Sequence, residues 1–398
     1  CCAVGRLSVK IWFLIILRYG KMDWLVNTVY YVVPFIVLLG ILVFVHEFGH
    51  FIVARLTGVQ VEAFSIGFGK TLWSRKDAKG TTWKISAVPL GGYCQFLGDA
   101  DASSSTADEK AEELSEEQKK VAFPYQNPFK KLAIVLAGPG ANYLFAIVVF
   151  AAIFYFVGKI AFPPVVGEVF KDSAADAAGI IPNDRILTIN GHKITYFEDI
   201  RKEVDLITDG RATVELLRDG KKMTLTFPLK EIEVQEYDGQ TSKRPMLGVK
   251  SVNAIEVEQE KLSLWGAVKE ACQETWDVTE ATLRGVGQMI TGKRSGEELG
   301  GIVRIAEMSG DISKKSGLLD FIVFMCLLSI NLGLINLFPI PVLDGGHVVI
   351  YLIEIVTGKE INNKLKDSLF KVGFSLIIAL MVFATWNDMV RLFHRWFA

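Results

Sequence analysis

The stretch VNTVYYVVPFIVLLGILVFVHEFGH, Val26 to His50, decides how this chain is read. No charged residue stands between Asp23 and His46. About 20 residues of that kind cross a hydrocarbon core as a helix. The end of the run changes character, with His46, Glu47 and His50 crowded together. In a helix His46 and His50 lie one turn apart on one face. Two imidazoles at that spacing can share one zinc ion, and Glu47 can reach a water held there. Typical residue frequencies would place His-Glu-x-x-His in a chain of this length with odds on the order of half a percent. Polar packing at the end of a span is the alternative. Two histidines and a glutamate beside hydrocarbon are costly without partners, and zinc would partner all three.

Three further apolar runs follow. They are LAIVLAGPGANYLFAIVVFAAIFYFVG after Lys131, FIVFMCLLSINLGLINLFPIPVL after Asp320, and VGFSLIIALMVFATWN after Lys371. Spans are expected near 26–47, 132–158, 321–343 and 369–390. The composition agrees, with 51% hydrophobic residues and a mean hydropathy of +0.33. The 43 basic and 44 acidic residues leave a formal net charge of -1, so no basic field exists to hold nucleic acid. The same figures exclude a disordered chain. Cys1, Cys2, Cys94, Cys272 and Cys326 show neither a disulfide framework nor a zinc-finger spacing. Residues 1–21 read as an N-terminal extension of uncertain status, with Met22 an alternative start. Lys130, Lys131, Lys359, Lys364, Lys366 and Lys371 fall on one side of four alternating spans, which makes that side cytoplasmic. Arg391 and Arg395 point the other way.

A catalytic zinc wants a third protein ligand and an open position for water. NLFPIPVLDGGH, Asn336 to His347, offers Asp344. Pro339 and Pro341 break the helix there, and broken helix beside a carboxylate at membrane depth reads as a site. His347 is the competing ligand; Asp344 is preferred because Gly345 and Gly346 would let the backbone turn sharply around it. His192 reads as a surface turn residue and His394 as interfacial. Asn142 and Asn336 carry amides able to donate to a substrate backbone, or equally to bond between helices.

Between the spans, residues 61–98 alternate aromatic and small residues with glycine punctuation, which suggests strands and hairpins. Residues 99–120 are acidic and serine-rich, a solvated linker. Residues 163–231 read as a compact α/β unit large enough to bury its own core. Residues 232–317 add short strands and an amphipathic helix from about Leu264 to Ile290. Trp265 and Trp276 place that helix at a membrane surface or against the α/β unit.

Taken together, HEFGH on a first span, LDG after a third and an insert between spans two and three resemble the site-2 protease family, zinc intramembrane metalloproteases, and within it the bacterial RseP-type branch. Further likenesses are Gly138–Asn142 (GPGAN) on the second span, Ser65–Gly69 (SIGFG) and Pro89–Tyr93 (PLGGY) in a membrane-associated β-hairpin, and Pro164–Val169 (PVVGEV) at the start of a PDZ domain. The resemblance implies a polytopic α-helical membrane protein with about four transmembrane helices, a membrane-associated β-hairpin region (61–98) and an inserted α/β PDZ-like domain (163–231). The membrane core would comprise residues 22–162 and 318–398. It implies one zinc per chain on His46, His50 and Asp344, with Glu47 as the base. Asn142 and Asn336 would hold substrate or an oxyanion. Ser65, Ile66, Gly67, Phe68 and Gly69 would capture an unwound substrate by strand addition. Val165, Val166, Gly167, Glu168 and Val169 would bind a PDZ ligand. The implied partners are the bilayer, a single-span membrane substrate and an upstream site-1 type protease that cuts it first. The implied place is the bacterial inner membrane, with the active site toward the cytoplasm and the PDZ-like domain outside it. Two departures stand out. Only one PDZ-like unit is recognisable, and in GGIVRIAEMSG (Gly300–Gly310) Ile302 stands where the family usually has proline. A scaffold that has lost catalysis would have no need to keep His46, Glu47, His50 and Asp344 together. A zinc transporter would carry polar residues along several spans rather than at one depth.

Overall fold

The computed structural model describes residues 2–99, 114–158, 162–235, 241–251, 262–292 and 300–397. Residues 100–113 of the acidic stretch and the side chains of residues 2–28 and of His394 lie outside the described residues. In chain order the elements are α1 (Cys2–Leu56), β1 (Val61–Lys76), β2 (Thr82–Phe96), α2 (Glu116–Lys119), α3 (Pro128–Phe156), β3 (Val166–Val169), α4 (Ala174–Ala177), β4 (Arg185–Ile189), β5 (His192–Lys193), α5 (Phe197–Asp205), β6 (Arg211–Arg218), β7 (Lys221–Pro228), β8 (Lys230–Gln235), β9 (Thr241–Met246), β10 (Val249–Ser251), α6 (Leu264–Ile290), α7 (Ile302–Lys315), α8 (Leu318–Asn336), α9 (Asp344–Thr357) and α10 (Asn363–Phe397). Among the described residues, four stretches are long and apolar enough to cross a membrane: Val29–Leu56, Pro128–Phe156, Leu318–Asn336 and Lys364–Phe393.

Two compact units divide the chain. One holds residues 1–145 and 299–392, the other residues 146–298 and 393–398. In the first unit, Leu38 and Leu42 of α1 pack against Phe321, Phe324 and Met325 of α8. A second cluster gathers Phe51, Phe64, Phe96, Ile134 and Tyr351. The third span is shorter than its apolar run. It ends at Asn336, because Pro339 and Pro341 cannot extend it, and the chain restarts as α9 at Asp344.

The hairpin region is more than one hairpin. The first half of β1 pairs on both sides at once: Ala63 with Gln95 and Thr82, Phe64 with Cys94 and Trp83, Ser65 with Tyr93 and Lys84, Ile66 with Gly92 and Ile85. The second half folds back, Trp73 pairing with Ile85 and Arg75 with Trp83. Bulges at these turns make the bends possible. This corrects the expectation that Ser65 and Ile66 offer an exposed strand edge. They are central, and the outer strand beside them is residues 92–96 of β2.

α7 also departs from the expected boundary at 317. It belongs to the first unit and packs on α1. Gly310 lies so close to Tyr31 that a side chain would strike the ring, and Tyr31 Oη donates to Asp311 Oδ1 at 3.1 Å. The amides of Val303 and Arg304 donate to Asp388 Oδ2 of α10 at 3.1 and 3.2 Å. Asp388 thus caps α7 from another helix, a role the Gly301 backbone leaves room for.

The second unit is built on the antiparallel sheet β5-β4-β6-β7, with β10-β3 and β8-β9 beside it. Its core includes Val166, Ile186, Ile189, Val214 and Leu216, each fully buried. Such side chains contribute roughly 1.5–3 kcal/mol apiece. α6 meets the rest of this unit through small residues, Ala267, Ala271, Thr275 and Thr279. Arg284 of α6 grips Glu203 of α5 with two hydrogen bonds of 2.6 and 2.8 Å. Trp265 and Trp276 face outward, 78% and 63% exposed, so they do not make the contact with the α/β unit.

Candidate metal centre

The site begins with helical periodicity. His46 and His50, one turn apart on α1, bring their Nε2 atoms within 3.3 Å of each other. Asp344, the first residue of α9, faces both, with Oδ2 3.1 Å from His46 Nε2 and Oδ1 3.6 Å from His50 Nε2. The ligand atoms of these three residues all lie within 4.8 Å of one another. Both histidines are 8% exposed.

Glycines let the helices close around this point. A side chain at Gly49 would run into the Ala137 carbonyl and Ala141 of α3, so α1 and α3 touch backbone to backbone there. A side chain at Gly138 would collide with the His50 imidazole and press on that of His46. Gly345 and Gly346 serve close approach too, not a sharp turn. Their faces lie against the carbonyls of Leu337, Phe338 and Ile340. The turn is taken by Val342, whose φ of 91° is a strained conformation for a β-branched residue.

The surrounding polar atoms orient the rings. His50 Nδ1 lies 2.8 Å from the carbonyl oxygen of Ile134, which can only accept, so Nδ1 carries the proton and Nε2 presents its lone pair. Asn142 of α3 sits against His46 Nδ1 at 3.1 Å, and Ser329 Oγ of α8 donates to the Asn142 carbonyl at 2.9 Å. Asp344 Oδ2 is buried with no hydrogen-bond donor, although His46 Nε2 is near. Two imidazole nitrogens and an orphaned carboxylate oxygen form a donor set that fits zinc, and three protein ligands leave a position open.

Glu47 follows His46 and lies beside the outer strand of the sheet. Its carboxylate accepts a hydrogen bond from the Cys94 backbone amide, and Gly92 leaves no side chain between the strand and Glu47. The amide of Cys94 therefore points out of the sheet toward the site. Outside the spans, the turn of the hairpin is tied to α1 through Asp77, which accepts from Arg55, from Trp83 Nε1 at 3.0 Å and from the amides of Lys79 and Thr81 at 2.9 and 3.0 Å. Desolvation would raise the Asp77 carboxyl, but these donors hold it down at about 2.

The other expected residues are placed as follows. His347 is buried against Tyr351 and Phe370 and stands outside the His46–His50–Asp344 group. Asn142 is fully buried, while Asn336, the last residue of α8, is half-buried. Ser65 is 1% exposed, its hydroxyl bonded to the Gly67 carbonyl and to Ser86 Oγ. Gly67 and Gly69 turn the chain with φ of 88° and 83°, and Phe68 is exposed. His192 lies at a turn, 3.9 Å from Glu280. In the second unit, Val165 bridges to Arg185, and Val166, Gly167, Glu168 and Val169 form β3, paired with β10. A cavity of about 460 Å³ lies elsewhere, between Phe197, Ile200 and Val204 of α5 and the segment Arg244–Val249. That segment was not singled out in sequence. Its signal is Gly248, which holds φ of 84° and packs on Ser173. Ile134, Cys94 and Asp388 also escaped sequence reading, the first two because they act through backbone atoms.

The chain resembles known proteins over most of its length. The family described as Peptidase family M50 matches residues 34–380. A protein of Agrobacterium fabrum, named as a candidate zinc metalloprotease, is 39% identical over 91% of this chain and 96% of its own. One of the same description from Rhizobium meliloti is 37% identical over 94% of this chain and 100% of its own. The metalloprotease MmpA of Caulobacter vibrioides is 33% identical over 90% and 95%. Among solved structures, the PDZ domain of an SdrC-like protein from Listeria monocytogenes aligns with 24% of this chain and 93% of its own, at 17% identity and a TM-score of 0.18.

Proposed function

This chain belongs to peptidase family M50, the site-2 proteases, and from that membership we propose that it is a zinc endopeptidase that cuts a single-span membrane protein within or next to its transmembrane segment. The observation that carries the reading is the meeting of His46, His50 and Asp344, with Glu47 one residue along the same helix.

His46, His50 and Asp344 would hold the zinc. Zinc bound there supplies Lewis acidity and brings the pKa of water down toward neutrality. Glu47 takes the proton from the attacking water and returns it to the departing amine nitrogen. A substrate helix has its carbonyls bonded internally, so it must unwind before a peptide bond can reach Glu47. The outer strand at residues 92–96 pairs with β1 along one side, and adding to its other side would satisfy the backbone groups that an unwound segment exposes. The Cys94 amide brings that edge next to Glu47.

The substrate arrives after a first cut by a site-1 type protease, as in the turnover of anti-sigma factors or signal-peptide remnants. The enzyme works in a bacterial inner membrane with its metal toward the cytoplasm, in keeping with the Lys130, Lys131, Lys364 and Lys366 side. The inserted unit screens substrates, and its α5 cavity is the place for a trimmed chain end.

The test is the Glu47→Gln variant of the full chain in detergent, beside the unaltered protein and a single-span substrate. The unaltered protein binds zinc and cuts, and a chelator stops it. The variant binds zinc and does not cut. A variant that cuts would remove Glu47 from the mechanism. Unaltered protein that binds zinc and leaves a trimmed substrate intact would favour a binding role.

A further inference from the structure

Asn142 is a buried polar residue against the site that the mechanism above leaves unused. It is fully buried on α3, its amide 3.1 Å from His46 Nδ1, and its Oδ1 has no hydrogen-bond partner among the described residues. A substrate cannot reach a side chain so enclosed without displacing α8, whose Ser329 is bonded to the Asn142 carbonyl.

The imidazole of His46 has two proton arrangements. With the proton on Nε2, it faces Asp344 Oδ2, and Nδ1 accepts from the Asn142 amide nitrogen. With the proton on Nδ1, Nε2 offers its lone pair to a metal, and Nδ1–H needs an acceptor. Two N–H groups cannot bond to each other. A half-turn of the Asn142 amide brings Oδ1 to Nδ1 and gives the orphaned oxygen its donor. An amide is a side chain that can serve both arrangements from one position.

We propose that Asn142 is a positioning residue: its amide oxygen accepts from His46 Nδ1–H and holds the ring in the tautomer that binds zinc. The proposal rests on the zinc reading of the site. The Ile134 carbonyl does the same for His50, so with the Asn142 amide turned both acceptors come from α3. Asn142 acts on the ligand, not on the substrate.

The experiment measures zinc affinity of the full chain in detergent by competition with a chelator of known affinity, for unaltered protein, Asn142→Leu and Asn142→Asp. Thermal midpoints of the metal-free proteins are measured alongside. Asn142→Leu keeps its midpoint and loses zinc affinity about 10–100-fold, the usual effect of removing such a partner. Asn142→Asp, which keeps an acceptor, stays within a few-fold of the unaltered protein. Leucine protein that holds zinc as tightly as the original but cuts slowly would overturn the proposal in favour of substrate contact. Equal loss in both variants with a fallen midpoint would overturn it in favour of helix packing. Unaltered protein that binds no zinc would instead sink the metalloprotease reading, and this proposal with it.

Discussion

Gly138 of α3 stands where any side chain would strike the imidazole of His50. The His50 ring occupies the space a methyl group at Gly138 would need, and the His46 ring borders it. Glycine in a helix interior normally gives up about 1 kcal/mol relative to alanine. Here the packing of the two imidazoles demands it.

Gly138→Ala should therefore go against helix propensity and abolish zinc binding, with cleavage lost in step. Gly140→Ala is the control, since nothing lies within 4 Å of a side chain there. It should bind zinc and cut as the unaltered protein does. Metal content after purification and a cleavage assay decide the matter; equal zinc in both variants would contradict the geometry.

The cavity of the inserted unit gives a specificity prediction. Met246 lines it and is half-buried. Met246→Trp should fill the space and slow cutting of a trimmed substrate several-fold, with zinc content unchanged. Untrimmed substrate should be cut poorly by both forms. Identical rates on the two substrates in the unaltered protein would mean that the insert does not screen.

Asp77 sets an acid limit on the hairpin. Its folded value, about 2, lies below the ordinary 3.8, so folding favours the carboxylate. Stability from this group is fully present above about pH 4 and is lost as the pH falls toward 2. Asp77→Asn should be less stable at neutral pH and flatter across that window, as followed by thermal denaturation in detergent. A variant with the same acid profile as the original would show that Arg55 and Trp83 do not depend on the charge.

Asp388 caps α7 across the fold and is 2% exposed. Asp388→Ala should lose about 1–2 kcal/mol, the usual effect at a helix cap, and open α7 to proteolysis first. Asp388→Asn, which still accepts, should lose less. Limited proteolysis with mass mapping reads this directly.

The sequence carried the candidate site because most of that site is local. His46, Glu47 and His50 lie on one helix, and a helix fixes their relation from spacing alone. Asp344 was legible too, since a carboxylate beside Pro339 and Pro341 has little other reason to stand at the end of an apolar run. The four apolar stretches announce themselves by length. The tertiary structure decided what depends on partners far along the chain. It separated α9 from α8, paired Ser65 and Ile66 on both sides, and left residues 92–96 as the edge beside Glu47. It assigned α7 to α1, and it set the Asn142 amide against His46 and a backbone carbonyl against His50. Register and close approach are properties of two segments together, and neither segment alone encodes them.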